Sequence, residues 1–316
     1  MLSKSNLNLR TKHKKNFLNN QISEPTNIIL HVIFLLGVLV CVYPTLVIIG
    51  SSFTDEAMLK QFGYNVIPRI FSTRAYTYVA TTGMTIVRAY GVTIFATVVG
   101  TLLNIIFTSM FAYPLTRPEF PWRRQFSIFI YITMVFGGGL IPWYILCTQI
   151  LHLNNTLWAL FIPSMFSGWN AFVMRTFIQR NIPNELIESA RIDGSSEWNT
   201  YLKIVVPLSK AGLATIGFFT ALVFWNDWYN CLLFNSAAPK LQNLGFLLYQ
   251  ILMQAQYLAT ISSQQGMQAI GGSAAQIPTT SMQMAMCVLA VGPIILVYPY
   301  FQRFFVKGLV IGAIKG

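Results

Sequence analysis

The sequence predicts an all-α membrane protein with about six transmembrane helices. Of its 316 residues, 54% are hydrophobic and only 9% are charged, whereas a soluble domain usually carries about 25% charged residues. The apolar residues also occur in runs long enough to cross the hydrocarbon core, which takes about 20 helical residues. Charged residues are too few to cover the surface of a globular protein in water, so a bilayer is the expected solvent.

Six apolar stretches are long enough to be spans, and the only acidic or basic residue inside any of them is Asp227, in the fifth. The predicted spans are 28–50, 89–112, 126–150, 154–174, 211–234 and 281–302. They divide the chain into a basic tail, 1–27, and a transmembrane domain, 28–316. A long loop, 235–282, separates the last two spans.

The basic residues predict how these spans are oriented. The net charge is +12, and placing the N-terminus in the cytoplasm puts sixteen of the 21 Lys and Arg residues inside and five outside. Cytoplasmic loops carry such an excess of basic residues. Both termini and the 175–210 loop are therefore predicted to be cytoplasmic, and the 51–88 and 235–282 loops external. The membrane accounts for the basic residues, and we expect no nucleic-acid partner.

The cytoplasmic loop 183–207 predicts a short helix that ends in a tight turn. Pro183 suits a first helical turn, and Glu185 near that end favours the helix dipole. Gly194 is expected to end the helix because glycine adopts a left-handed backbone without penalty.

A second helix is predicted to follow that turn. Ser195 or Ser196 can cap its first turn. Pro207 marks a break before the fifth span. The loop is therefore expected to be a compact helix–turn–helix on the cytoplasmic surface of the membrane.

The same loop carries a spaced motif. It reads Glu188-Ser189-Ala190, then Gly194, then Ile204-x-Val206-Pro207. This pattern resembles the EAA loop of binding-protein-dependent ABC importer permeases, which has Glu-Ala-Ala, a Gly four residues on, and Ile-x-Leu-Pro. Ser189 and Val206 depart from that motif by small changes that preserve its geometry.

Two further stretches are similar to the carbohydrate-uptake branch of that family. One is Trp225-Asn226-Asp227-Trp228 in the fifth span, and the other is the ending Phe305-Val306-Lys307-Gly308 with Ile314-Lys315-Gly316. Within that branch the chain looks most like the second permease of oligosaccharide importers of the maltose and aldouronate type. The likeness extends over about residues 28–316.

The resemblance implies a non-catalytic transport subunit of the bacterial cell membrane that binds no cofactor itself. The chain has no G-x-x-x-x-G-K-[ST] phosphate loop, so ATP and Mg would be used by another protein. The implied partners are a second permease subunit, two ABC ATPase subunits, an extracellular or periplasmic solute-binding protein, a sugar substrate and the lipid membrane.

The resemblance also assigns coupling to the ATPase to Leu186, Ile187, Glu188, Ala190, Gly194, Pro207, Lys315 and Gly316. Glu188 would pair with a basic residue of the ATPase, Ala190 would permit close approach, and Gly194 would form the turn. Leu186 and Ile187 would fill a groove on the ATPase. The two C-terminal residues would either enter the ATPase dimer interface or form a frayed basic end, and both interpretations remain open.

The candidate residues for a sugar path are Trp143, Tyr144, Asn170, Trp225, Asn226 and Asp227. Aromatic rings stack on sugars, and amides and carboxylates bind hydroxyl groups. The three glycines at 137–139, followed by Pro142, predict a broken third span, as in many transporters. The alternative is an interfacial aromatic belt with helix–helix hydrogen bonds.

Other functions remain as alternatives. The cargo of an importer of this class could instead be an amino acid, a phosphate ester or a metal. A membrane enzyme or a stand-alone carrier is disfavoured because the chain has no H-E-x-x-H motif and a single intramembrane acid.

Overall fold

The computed structural model describes residues 24–81, 83–264 and 279–313, and these are almost entirely helical. Within those ranges there is no β-strand, and a lone backbone bridge joins Thr54 to Phe71. The all-α prediction is confirmed for this part of the chain. The helices are α1 (Glu24–Ser52), α2 (Glu56–Phe62), α3 (Arg74–Thr81), α4 (Gly83–Ala112), α5 (Arg123–Val135), α6 (Leu140–Ile150), α7 (Gly168–Asn181), α8 (Asn184–Ile192), α9 (Glu197–Leu208), α10 (Lys210–Trp225), α11 (Tyr229–Phe234), α12 (Leu244–Gln264) and α13 (Thr279–Ala313).

Two of the described helices are long and apolar enough to cross a membrane unbroken. They are Pro25–Ser52 in α1 and Gly83–Thr116, which extends α4. Three more spans arise if each strongly bent pair crosses as one unit: α5 with α6 (110°), the 3-10 segment Leu157–Ser164 with α7 (53°), and α9 with α10 (76°). A shorter apolar helix lies in α13, at Thr280–Leu296. The number six therefore stays a prediction.

The predicted interruption of the third span is confirmed. Helix α5 ends at Val135, and α6 begins at Leu140. Between them Gly139 has a φ of +86°, a left-handed value that favours glycine. Pro142 lies in the first turn of α6, where its missing N–H group has no helical acceptor to lose.

The 235–282 loop contains a helix that the sequence analysis did not identify. Helix α12 begins at Leu244, whose backbone N–H donates to the Thr93 hydroxyl of α4 at 2.9 Å. The Asn243 side chain accepts from the N–H of Phe246, also at 2.9 Å. Because one of these two caps comes from a residue 151 positions away, the local sequence does not reveal it.

Helices α4 and α10 pack closely at two glycines. A Cβ atom added at Gly100 would lie 2.7 Å from the Phe224 ring, and one at Gly217 would lie 2.7 Å from Ile105. Small residues let helix backbones approach in this way inside a membrane. Helix α1, in contrast, leaves most of its apolar side chains exposed, which suits contact with lipid or another subunit.

Candidate functional site

The predicted helix–turn–helix is present in the 183–207 loop. Helix α8 follows Pro183, and the chain turns at Gly194, whose φ of +79° is left-handed. The N–H group of Ser195 then donates to the carbonyl of Ala190 at 2.9 Å, which closes the turn. Ser196 caps α9 by accepting from the N–H of Asn199 at 3.3 Å. We call α8 and α9 together the surface hairpin.

The two faces of α8 differ in burial. Ile187, only 3% exposed, and Ala190 point into the protein, where Ile187 packs with Met174, Tyr201 and Val205. The opposite side, which we call the outer face, is formed by Glu185, Leu186, Glu188, Ser189 and Ile192. Ile192 is 87% exposed on this face.

This burial corrects the role expected for Ile187. Ile187 was expected to enter a groove on another protein beside Leu186, but its side chain belongs to the core of its own chain. Ala190, three residues later, shares that buried face. Leu186 lies about 100° away around the helix and stays exposed. Ile192 therefore replaces Ile187 as the second apolar residue of the outer face.

Charge-assisted hydrogen bonds attach the surface hairpin to the end of α4. The Glu197 carboxylate accepts from Arg191 Nη2 and from the Tyr113 hydroxyl, each at 2.7 Å. Arg191 Nη1 also donates to Glu119 at 3.4 Å. A further contact, which is buried, joins the hydroxyl groups of Tyr201 and Ser109 at 2.7 Å.

The same bonds shift the pKa values of the pair in the loop. The hydrogen bond from Arg191, followed by the one from Tyr113, lowers the pKa of Glu197 below its ordinary value. The bond to Glu197 raises the pKa of Arg191. Both groups therefore stay ionised at neutral pH, and the ion pair joins α8 to α9 across the turn at Gly194.

A cavity of about 510 Å³ lies between the surface hairpin and the loop after α4. The lining includes the ion-paired Arg191 and four aromatic residues, Tyr113, Phe120, Trp198 and Tyr201. The buried Arg117 donates to Asn184, at the start of α8, at 3.3 Å. The hairpin is thus held on several sides by the 113–121 segment.

The hairpin continues directly into α10. Tyr201 and Val205 are buried in a cluster with Met174 and Ile216, which joins α9 to α7 and α10. The predicted break after Pro207 is present at Ser209, where the chain bends by 76°. Ile187 of α8 belongs to the same buried cluster, so the hairpin, α7 and α10 are packed together.

Asn170, a candidate path residue, belongs to a buried polar cluster. Asn104 accepts from Asn170 at 3.4 Å and from Thr220 at 3.2 Å, and it donates to the Met165 carbonyl at 3.1 Å. The cluster joins α4, α7 and α10. Asn170 is therefore positioned for helix packing, as in the alternative interpretation.

The other candidates in the fifth span have separate environments. Trp225 donates from its indole nitrogen to the Ala290 carbonyl of α13 at 3.0 Å. Asn226 is exposed and bonds to the carbonyl of Leu222 in its own helix. Asp227 accepts from the N–H of Asn230 at 3.1 Å, while its Oδ2 atom is buried with no partner among the described residues.

Trp143 and Tyr144 form a third group around one phenylalanine. The Trp143 ring meets Phe234 edge-on at 5.2 Å, and the Tyr144 ring stacks on Phe234 at 5.8 Å. Both aromatic residues therefore join α6 to α11. Tyr144 remains partly exposed, so it could still contact a ligand.

A second cavity, of about 530 Å³, lies among α4, α10 and α13. Trp225 is the one path candidate that lines it. Its wall is mainly apolar, but Thr97 and Thr101 also face it, and neither hydroxyl has a hydrogen-bond partner in the described ranges. The six path candidates thus do not converge on one site within this chain.

Several important contacts carried no sequence signal. Tyr113 and Glu197 are 84 residues apart, and Asn104 and Met165 are 61 apart. The exposure of Ile192 follows from helix periodicity only once the buried face of α8 is known. The candidates Lys315 and Gly316 lie outside the described residues, as does most of the 1–27 tail.

Comparison with known proteins gives a consistent result over most of the chain. Residues 115–311 match the profile of a family described as "Binding-protein-dependent transport system inner membrane component". Protein LplC of Bacillus subtilis (strain 168) is 37% identical, covering 90% of this chain and 94% of LplC. The polygalacturonan/rhamnogalacturonan transport system permease protein YtcP of the same strain is 35% identical, covering 89% and 95%.

A solved structure has a similar fold. It is a chain in the crystal structure of a bacterial ABC transporter involved in the import of the acidic polysaccharide alginate. The TM-score is 0.74 at 25% sequence identity, and the match covers 90% of this chain and 99% of that chain. The similarity therefore extends beyond the segment that the family profile matches.

Proposed function

The chain belongs to the family of binding-protein-dependent transport system inner membrane components, and from that premise we propose that it is the permease subunit of an ATP-driven sugar importer. The observation that carries the proposal is the surface hairpin. Its outer face is exposed, while buried residues of α9 bond to α4 through Tyr201 and Ser109 and pack against α7 and α10. A partner that pulls on α8 would move those three helices together.

The outer face has the chemistry of a small docking surface. Leu186 and Ile192 supply exposed apolar area, and Glu185 and Glu188 supply negative charge beside it. An amphipathic helix of this kind fits a groove with basic residues at its rim. We assign that groove to an ABC ATPase subunit that uses ATP and Mg, with this chain binding neither.

Transmission of motion from the ATPase subunits to α10 depends on the stiffness of the hairpin. The Arg191–Glu197 ion pair spans its turn, and Tyr113 connects the same carboxylate to the end of α4. Closure of two ATPase subunits would rotate α8, and the bend at Ser209 would pass that motion into α10. The transport cavity would then alternate between its inward-facing and outward-facing states.

An oligosaccharide is the proposed cargo. YtcP is named as a polygalacturonan/rhamnogalacturonan permease, and the structural neighbour belongs to an alginate importer. Both names refer to acidic polysaccharides, so oligosaccharides that contain uronic acids are the first class to assay. Trp225, which lines the second cavity, and Tyr144, which is exposed, are the aromatic side chains of this subunit that we propose contact the sugar.

The complete importer would contain further chains. We propose a second permease, two ATPase subunits and an external solute-binding protein, with both termini of this chain in the cytoplasm. The dispersed path candidates support a shared path, since a cavity between two permeases needs only part of its wall from each.

Reconstitution tests the function. The complex would be purified from its native membrane, its other chains identified, and the assembly placed in liposomes with ATP on the ATPase side. We expect ATP-dependent uptake of an oligosaccharide delivered by the binding protein, and no uptake of glycerol 3-phosphate or amino acids. Uptake by this chain alone, or uptake that does not require ATP, would overturn the proposal.

A further inference from the structure

Two arginines, one on α5 and one on α7, lie near enough for their charges to interact. Arg123 is the first residue of α5, and Arg175 lies in α7, two turns before that helix ends. Both are partly buried. They lie at the same end of these helices as the hairpin, because α7 leads into α8 and Glu119, just before α5, bonds to Arg191.

Ser127 connects the two arginines. Arg175 Nη1 donates to the Ser127 hydroxyl at 3.3 Å, and that hydroxyl donates to the Arg123 carbonyl at 2.7 Å. Arg123 and Ser127 are four residues apart and so share one face of α5. That face points at α7, because Met134, farther along it, lies against Gly168.

This arrangement leaves positive charge without compensation. The charge of Arg123 acts unfavourably on that of Arg175. Over the described ranges, neither guanidinium makes an ion pair with a carboxylate, and the Nε atom of Arg175 is buried without a hydrogen-bond partner. The positive end of the α5 dipole adds to the same field. An anion at this point would satisfy all of these groups.

The surroundings indicate what kind of anion. Trp122 and Val173 are exposed apolar side chains within two residues of an arginine, and the exposed Phe129 is two residues after Ser127. A lipid tail could lie along such a surface while its headgroup meets the guanidinium groups. Basic pockets between membrane helices on the cytoplasmic side bind anionic headgroups in this way.

We propose that Arg123, Ser127 and Arg175 form a binding site for the phosphate group of an anionic phospholipid. The guanidinium groups would supply charge-assisted hydrogen bonds, including one from the unpartnered Nε of Arg175. The lipid would hold α5 to α7 just before the surface hairpin. The site's assignment to the cytoplasmic leaflet rests on the proposed function, but its ability to bind lipid does not.

Native mass spectrometry of the purified complex tests the site. The complex would be exchanged into nanodiscs of phosphatidylcholine, with and without phosphatidylglycerol, and the lipids that remain bound after release would be counted. Arg123→Gln and Arg175→Gln should each weaken phosphatidylglycerol binding about fivefold, since one basic residue contributes about 1 kcal/mol. Arg175→Lys, which keeps the charge, should retain most of the binding. Arg180→Gln, an exposed arginine of the same helix, is the matched control and should have no effect.

Three results would overturn the lipid site. The first is unchanged phosphatidylglycerol binding in the double Arg123→Gln, Arg175→Gln variant. The second is competition by inorganic phosphate, which has no acyl chain, that is as effective as competition by the phospholipid. The third is a partner carboxylate found against Arg175 in a structure of the assembled importer. Intact ATP-driven uptake alongside any of these results would show that only the lipid proposal had failed.

Discussion

The surface hairpin and the candidate sugar path differ in how completely a single chain builds them. The hairpin is closed within this chain: Gly194 makes the turn, Arg191 and Glu197 bridge it, and Tyr113, at the end of α4, anchors it. The path candidates fall instead into separate groups around Phe234, Asn104 and the carbonyl of Ala290. A coupling element must be rigid in each subunit, whereas a transport path can be completed by a second subunit.

Reversing a charge on the outer face should produce the largest effect. We expect Glu188→Lys to abolish ATP-driven uptake, because a like charge against a basic groove costs several kcal/mol. The ATPase should no longer co-purify with the complex, although the variant should reach the membrane in normal amounts. Ser189→Ala, on the same face, is the control and should keep both properties. Normal uptake by Glu188→Lys would show that the outer face does not couple this chain to the ATPase.

Gly194→Val should have the next largest effect on uptake. It should act by straining the backbone and not by a steric clash. A Cβ atom at Gly194 would meet no neighbouring atom, so the requirement for glycine lies in its left-handed φ. A β-branched residue there adds about 1–2 kcal/mol of strain and should distort the hairpin. We expect uptake close to background with normal membrane insertion.

Gly194→Asn provides the matched comparison, because asparagine tolerates the left-handed region. It should retain most of the uptake measured in the same proteoliposomes. If both variants were equally active, or equally inactive, backbone conformation at the turn would not be the cause.

Asn170→Ala should separate helix packing from sugar binding. Loss of its bonds to Asn104 and Thr220 should destabilise the complex by about 1 kcal/mol, measured as a lower Tm, while the KM for sugar stays the same. Asn226→Ala is the control for stability and should leave the Tm unchanged, because its exposed amide bonds to the carbonyl of Leu222 in its own helix. A raised KM with an unchanged Tm would indicate that Asn170 contacts the sugar.

The Glu197 ion pair should give the smallest effect, since both partners are about half exposed. The pKa of Glu197 is lowered in the folded protein below its ordinary value of 4.5. The ion pair therefore stabilises the fold at neutral pH, and this stabilisation is lost as the pH falls below 4.5. Glu197→Gln should therefore have a slightly lower Tm than the parent protein at neutral pH. The two Tm values should converge in acid, and a difference that grows with acidification would contradict this assignment.

Local signals made the hairpin predictable from the sequence. Gly194 and Ser196 act on their own backbone neighbourhood, and each has the predicted role in the structure. Pro183 lies one residue before its predicted place in the first turn, as the N-cap of α8. The glycines at 137–139 broke the third span for the same local reason. The structural effect of such residues can therefore be predicted from the sequence around them.

Contacts between distant segments were not predictable in this way. Nothing near Glu197 indicates that Tyr113 will donate to it, and the cap that Thr93 supplies to α12 is equally distant in sequence. The role expected for Ile187 was wrong because the motif names the positions on α8 without indicating which of them face the core. The path candidates failed to converge for a related reason, since polar and aromatic residue types do not determine which helices meet.

A photo-crosslinking residue placed at Ile192 would test the central claim most directly. In the assembled importer, p-benzoylphenylalanine at this exposed position should crosslink to the ATPase subunit, and the yield should change with bound ATP. The same group at the exposed Trp158, in the 3-10 segment that precedes α7, should give no ATPase product. Crosslinking from Ile192 to the external binding protein, or to no ATPase in an active complex, would contradict the account.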